Sequence, residues 1–281
     1  MTLTRVKLGV NMYSKCEKFW AMATIKKALG LLEYFSNNKP EISLVEFRKL
    51  SDFNKGTVHR YLTSLRDKGF LEQNQKTKAY RLGPAIIRLA AVREQTVPMV
   101  KIVAPHVDRL AGSICELVHA GLPQPQGMSA LYSNNGVRSG TRVSFEESQI
   151  LPFHATASGV AMLAFGPPHI LKTAASRPIQ KFTDSTPLTI DSIKAMANIA
   201  QKSGYAATDN SFEIDVSSVA VPFFGIDTVA IGTLAVATPH ARMDSSNRTL
   251  IASLLSKLAF SITQDLGGSI PPKIAKIWNN L

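Results

Sequence analysis

Cysteine is nearly missing from these 281 residues, which contain only Cys16 and Cys115. Two unpatterned thiols exclude a disulfide framework and a Cys-rich zinc site, and they fit a reducing cytoplasm. Long apolar runs are missing too. The longest uncharged stretch, Gln149 to Leu171, is broken by His154, Thr156, Ser158, Gly159, Pro167, Pro168 and His169. Its continuous apolar part is about 11 residues, against the ~20 a bilayer needs. Arg5, Lys7, Lys15 and Lys18 are followed by no apolar segment, so no secretory signal and no membrane partner are expected. There is no Gly-rich phosphate loop, G-x-S-x-G elbow, H-E-x-x-H or C-x-x-C. The histidines at 59, 106, 119, 154, 169 and 240 never fall at ligand spacing. The expectation is a cytoplasmic protein with no catalytic residues, no metal site and no cofactor.

Acid is the last scarcity. Asp and Glu number 20 against 32 Lys and Arg, a net charge of +12. Residues 1–95 hold 18 cationic and 8 anionic side chains, a net of +10; residues 96–281 hold 14 and 12, a net of +2. A surface charged only for solubility would spread its sign, so this asymmetry points to a polyanion-binding module joined to a nearly neutral domain. Residues 1–20 read as a basic arm.

Within the basic third, residues 22–35 carry Ile25, Leu29, Leu32 and Phe35 at helical spacing. Asn37 to Pro40 end that helix. Ser43 opens S-L-V-E, a capping box, with Leu44, Phe47 and Leu50 as the expected buried face. After the turn Ser51 to Phe53, a third helix begins near Asn54. Val58, Leu62 and Leu65 share one of its faces; Gly56, Arg60 and Thr63 point the other way, with Thr57 and His59 flanking. This is a helix-turn-helix pattern, whose second helix enters the major groove by its N-terminal residues. Gly56 allows close approach to DNA, and Arg60 suits phosphate or guanine. Phe70, Leu71, Tyr80 and Leu82 flank the polar turn Asn74 to Lys78, a hairpin wing with Lys76 and Lys78 at its tip.

Pro84 is suited to a first helical position, and Ile86, Ile87, Leu89, Ala90 and Val92 give the next helix a broad apolar side. Another helix spans 98–113. Beyond it the pattern predicts strands at 116–120, 127–132, 216–224 and 229–237. Helices are expected at 156–165 and 192–202, and a closing helix at 244–266 with Leu250, Leu254, Leu258 and Ile262 inward. Antiparallel hairpins with helices to one side make an α+β domain. Ala157 and Ser158 fall in the first turn of their helix, where free N–H groups favour a carboxylate. The small residues around them let a ligand come close, although they would equally serve tight helix packing.

Residues 43–71, above all T-V-H-R-Y-L (57–62), together with Y-R-L-G-P (80–84), resemble the winged helix-turn-helix of IclR-type transcription regulators. The resemblance continues through L-P-F-H-A-T-A-S-G-V-A-M-L-A-F (151–165), S-G-Y-A-A-T-D (203–209) and V-A-V-P-F (219–223). It implies a winged helix-turn-helix over 21–83, a linker helix over 84–97 and a GAF-like effector-binding domain over 98–281. The function it implies is sequence-specific transcriptional regulation tuned by a small molecule. DNA contacts are expected from Ser43, Lys55, Gly56, Thr57, His59, Arg60, Thr63, Lys76 and Lys78. Effector contacts fall on Ala157, Ser158, Thr208, Asp209, Ser218, Ala235 and Ala237. Asp52 stands where the family usually has Gly, and Gly56 where a Ser is common. Ala235 and Ala237 replace serines of members that bind small polar acids, so the effector expected here is less polar, an aromatic or branched carboxylate. The resemblance also implies a homodimer or dimer of dimers (a tetramer) on a palindromic operator. The competing readings are a nonspecific architectural DNA binder and an enzyme fused to a helix-turn-helix.

Overall fold

The computed structural model describes residues 24–136, 141–143, 146 and 148–281; the expected basic arm lies outside the described residues. The chain divides into two compact units, Met1–Thr96 and Val97–Leu281.

In the first unit, helix α1 covers 24–30 and tightens into a 3-10 turn at Leu31–Tyr34. Leu31 and Phe35 enter the core, while Ile25 and Leu29, expected inside, are exposed. Helix α2 (Leu44–Leu50) starts with the predicted box: Ser43 accepts from the Glu46 N–H, and Glu46 accepts from the Ser43 N–H at 2.9 Å. Phe47 is its buried anchor; Leu50, also expected inside, is exposed because this helix is only two turns long. Helix α3 (Lys55–Asp67) is capped by Asn54, whose Oδ1 accepts from the Thr57 N–H at 2.9 Å. Val58, Tyr61, Leu62 and Leu65 close its inner face.

Strands β1 (Leu71–Gln73) and β2 (Tyr80–Leu82) form the antiparallel wing. Gly83 is required where the wing returns, because a Cβ there would lie 2.3 Å from the Gly69 carbonyl oxygen. Helix α4 (Pro84–Thr96) follows, and only Ala85 of it is buried. Ile87, Leu89 and Val92 are exposed, Ile87 by 74%.

The second unit begins with α5 (Met99–Ile114). Its sheet contains β3 (Leu117–Gln124), β4 (Gly127–Asn135), β5 (Ala206–Asp209), β6 (Val216–Phe224) and β7 (Ala230–Pro239). All pairings are antiparallel, in the order β4-β3-β7-β6-β5. Between β4 and β5 lie α6 (Ala157–Phe165), α7 (Pro168–Ala175) and α8 (Ile190–Ser203). Helix α9 (Ser245–Asp265) and a short α10 (Pro272–Trp278) complete the chain.

Two expectations need correction. Helices cover both sheet faces rather than one: Ser158 of α6 bonds His119 on one face, while Arg248 of α9 bonds Asp209 on the other. This explains why β6 and β7 read as continuous apolar runs without alternation. In α9 the inward stripe is Ile251, Leu255, Ala259 and Ile262, and Leu250 is 56% exposed. Apolar residues at 250, 251, 254, 255 and 258 occupy so much of the helix circumference that only the sheet selects the face. Helices α7 and α10 and strand β5 were not anticipated as elements. No helix among the described residues is long and apolar enough to cross a membrane.

Candidate DNA face and effector pocket

Helix α3 and the wing carry the expected DNA contacts. Lys55, Gly56, His59 and Arg60 are exposed, and Thr57 is partly so. The Arg60 guanidinium lies over the Tyr61 ring, 5.5 Å from its centroid, which pre-orients it along the helix surface. The fold leaves room for a side chain at Gly56: a Cβ there meets only Asn54 Oδ1, at 3.6 Å. Thr63 is half-buried, and its Oγ1 is shielded from solvent without a partner, so its position on the helix does not make it available. Ser43 is committed to its capping box, with its Oγ 2.8 Å from Glu46 Oε2. Bonds from Ser43's backbone and side chain hold the Glu46 carboxyl below its usual pKa.

At the wing tip, Asn74 Oδ1 accepts from the N–H groups of Lys76 (3.0 Å) and Thr77 (3.3 Å). Lys78 adopts a left-handed backbone (φ 59°) and closes the turn through its N–H to the Asn74 carbonyl at 2.9 Å. Both lysines are exposed. The polar turn therefore presents two cations on a hydrogen-bonded loop.

The second unit holds a pocket between the N-terminus of α6 and the sheet, with about 530 Å³ of space, part of it open to solvent. Register explains its floor. Thr208, Ser218, Ala237 and Leu117 lie opposite one another across β5, β6, β7 and β3. Side chains in such a cross-strand row point to one face. The next row on that face runs Ala206, Ala220, Ala235, His119. Thr208 and Ser218 share a hydrogen bond of 2.9 Å. Ala157 and Ser158 line the pocket from above, as the first two residues of α6, whose N–H groups have no intrahelical partner. Thr156 caps the helix by accepting from the Gly159 N–H at 3.1 Å. Leu151, Ala155, Phe212 and Val216 supply apolar wall, and no Lys or Arg lines the pocket among the described residues.

Four of the sequence-expected effector residues thus converge with Ala237, and two do not. Asp209 follows Thr208 by one residue, so its side chain points to the opposite sheet face. There both of its carboxylate oxygens accept from Arg248 at 2.8 Å, and Ser217 Oγ donates at 2.6 Å. Burial works against ionisation of Asp209, but the bonds from Ser217 and Arg248 outweigh it and hold the pKa low. Ala235 is completely buried one row deeper, in register with His119, and does not line the pocket.

His119 is the residue sequence reasoning missed. It lines the pocket, is buried, and its Nε2 lies 3.0 Å from Ser158 Oγ. Burial pushes its pKa down to about 4, so it is neutral at pH 7. The available signal was a polar residue amid the apolar run L-V-H-A of a strand. Glu213 stands at the exposed rim, where desolvation raises its pKa. His154 Nε2 lies 2.9 Å from the Gln180 carbonyl oxygen, a structural bond.

Comparison with known proteins matches both units. The family described as "IclR helix-turn-helix domain" matches residues 24–75, and "Bacterial transcriptional regulator IclR C-terminal" matches residues 92–264. The chain belongs to the IclR family.

The glycerol operon regulatory protein of Streptomyces coelicolor is 25% identical to this IclR-family chain over 248 residues, 87% of this chain and 96% of the relative. The regulator XynR of Escherichia coli is 25% identical over 250 residues, 87% and 97% of the two chains. A solved structure from Silicibacter sp. TM1040, assigned to IclR transcriptional regulators, superimposes with a TM-score of 0.81 at 36% identity, covering 89% and 98%. An IclR homologue from Microbacterium hydrocarbonoxydans, solved with 4-hydroxybenzoate, shares the fold with a TM-score of 0.70 at 20% identity, over 88% and 100% of the chains. The protein is an IclR-family DNA-binding transcriptional regulator.

Proposed function

We propose that this regulator binds a palindromic operator as a dimer or pair of dimers, and that a weakly polar carboxylate in the α6 pocket modulates that binding. The observation that carries the effector reading is the pocket itself. Its anion-favouring end is the first turn of α6, its histidine is neutral, and the remaining wall is mostly apolar. A carboxylate would accept from the N–H groups of Ala157 and Ser158, while an aromatic or branched body fills the space beside Phe212, Val216 and Ala237. Thr208, Ser218 and His119 offer hydrogen bonds to one further polar substituent. The complex of the Microbacterium homologue with 4-hydroxybenzoate fits this chemistry.

On the DNA side the reading assigns base and phosphate contacts to Lys55, Gly56, Thr57, His59 and Arg60, and wing contacts to Lys76 and Lys78. Ser43 acts by capping α2. The working units are the winged helix-turn-helix at 21–83, a linker helix at 84–97 and the effector domain from 98 onward. The exposed Ile87, Leu89 and Val92 of α4 form the dimer contact. Dimerisation sets two recognition helices about 34 Å apart on successive major grooves. The protein acts in the cytoplasm by binding rather than by catalysis. Calorimetric titration against a panel of acids tests the effector reading. Benzoate-sized and branched carboxylates are expected to bind more tightly than glyoxylate or pyruvate. Tight binding of only the smallest polar acids would overturn it.

A further inference from the structure

We propose that a second cleft, on the far side of the α6 lead-in, is a separate small-molecule site that takes an aromatic or aliphatic monocarboxylate. The cleft encloses about 1020 Å³ of space, part of it open to solvent. Its interior is apolar, with Phe153, Leu171, Ile179, Phe182 and Ile193 among its walls. Among the described residues, Arg177 is the one formally charged residue lining it. The Arg177 guanidinium is exposed at the mouth and makes no ion pair or hydrogen bond among the described residues. An apolar slot with a free guanidinium at its edge complements a ligand with an apolar body and one carboxylate, which guanidinium binds in bidentate fashion. Among the described residues no acid lines the cleft to compete for Arg177.

The cleft shares two walls with the effector pocket. Along the segment before and into α6, Pro152, Phe153 and His154 line the cleft, while Leu151 and residues 155–158 line the pocket. The other shared wall is a ring series. His154 and Phe182 line the cleft with centroids 5.8 Å apart, and Phe182 meets Phe212, which lines the pocket, at 4.9 Å. Thr186 Oγ1 donates to the Ser211 carbonyl at 2.7 Å, tying the same segment to another pocket residue. A ligand that displaces Phe182 therefore displaces Phe212, so occupancy of the cleft changes the shape of the pocket. This coupling rests on the pocket being the effector site; the existence of the second site does not.

The test is calorimetry of the full chain with 4-bromobenzoate, paired with bromine anomalous scattering from crystals grown with it. Wild type is expected to take up two molecules per chain, one beside Arg177. Arg177→Glu and, independently, Ala174→Phe should weaken one of the two events at least tenfold, while the other persists with a smaller shift that reports the coupling. Ser218→Leu, which fills the pocket, should do the converse. Arg177 is exposed, so its substitution should leave the melting temperature unchanged. A single equivalent, lost with Ser218→Leu and insensitive to both cleft variants, overturns the second site and leaves the effector pocket standing. A single equivalent lost with the cleft variants but kept in Ser218→Leu supports the second site and removes the pocket reading. Absence of uptake in wild type at millimolar probe overturns both.

Discussion

The two units place their chemistry in opposite ways. In Met1–Thr96 the residues proposed to meet DNA lie outside a small core: Lys55, His59, Arg60, Lys76 and Lys78 are exposed, within 24 positions of one another. In Val97–Leu281 the site is inside, between a helix end and a sheet, and its residues come from positions as distant as Leu117 and Ala237. A surface for a polyanion can be made by a local pattern, because it needs only a folded face and exposed cations. An enclosed pocket needs walls from several elements, so it exists only once those elements meet. The charges follow the same division, +10 in residues 1–95 and +2 in the rest.

The sharpest way to break the enclosed unit alone is Gly159→Val. A Cβ at Gly159 would lie 2.4 Å from Phe153 Cα and 2.6 Å from the Pro152 carbonyl oxygen, all backbone that cannot yield. The cost is at the upper end for overpacking, about 3 kcal/mol or more. Denaturant unfolding should show it in the second unit, with the α3 face still able to bind DNA nonspecifically.

Acid should separate the units nearly as strongly. His119 has a folded pKa of about 4 against an ordinary value of 6.5, so the unfolded chain takes up its proton first. Its contribution is complete above pH 6.5 and is lost as pH falls toward 4, by about 3 kcal/mol at most. Asp209, with its lowered pKa, loses its contribution only at still lower pH, below the ordinary carboxylate value. His119→Gln is expected to flatten the fall in urea midpoint between pH 7 and pH 5; an unchanged slope would remove His119 as the cause.

On the open face the effects are smaller and fall on binding. Arg60→Ala should weaken operator binding by about 1–3 kcal/mol with little change in stability. Lys76→Ala should weaken all sequences alike and reduce the salt slope by about one. Gel-shift titrations at several salt concentrations distinguish the two; if neither variant matters, DNA approaches another face. The smallest effect is expected at Gly56. Since the protein leaves room there, Gly56→Ala should stabilise α3 by about 0.5–1 kcal/mol. If DNA backbone approaches this residue closely, operator affinity falls while stability rises. That opposite movement would be hard to obtain anywhere in the buried unit.

Much of the first unit was legible because its signals are short-range. The capping box at Ser43 and Glu46, the helix start near Asn54 and the polar wing turn each lie within five residues, and each forms as read. The misreadings there, Ile25, Leu29 and Leu50 as core, are apolar residues at helical spacing that the fold leaves exposed. In the second unit the order of strands and helices was partly visible, but faces were not. Sequence neighbours Thr208 and Asp209 lie on opposite sides of the sheet, one beside the pocket and one bonded to Arg248. The A-T-A-S-G run had two readings, ligand approach or tight packing, and the structure shows the packing directly. Ala157 and Ser158 line the pocket, whereas Gly159 lets the chain at 152–153 cross the helix.

What the sequence by itself determined is the charge division, the winged helix-turn-helix and its cationic face, and the small-residue start of α6. Periodicity, caps and turn residues act over a few positions and need no partner from elsewhere. What only the tertiary structure decided is the pocket floor, the neutral His119 within it, the exclusion of Asp209 and Ala235, and the adjoining cleft with Arg177. Each depends on strand register or on burial. Both are set by which residues meet across the fold, and no local pattern carries that information.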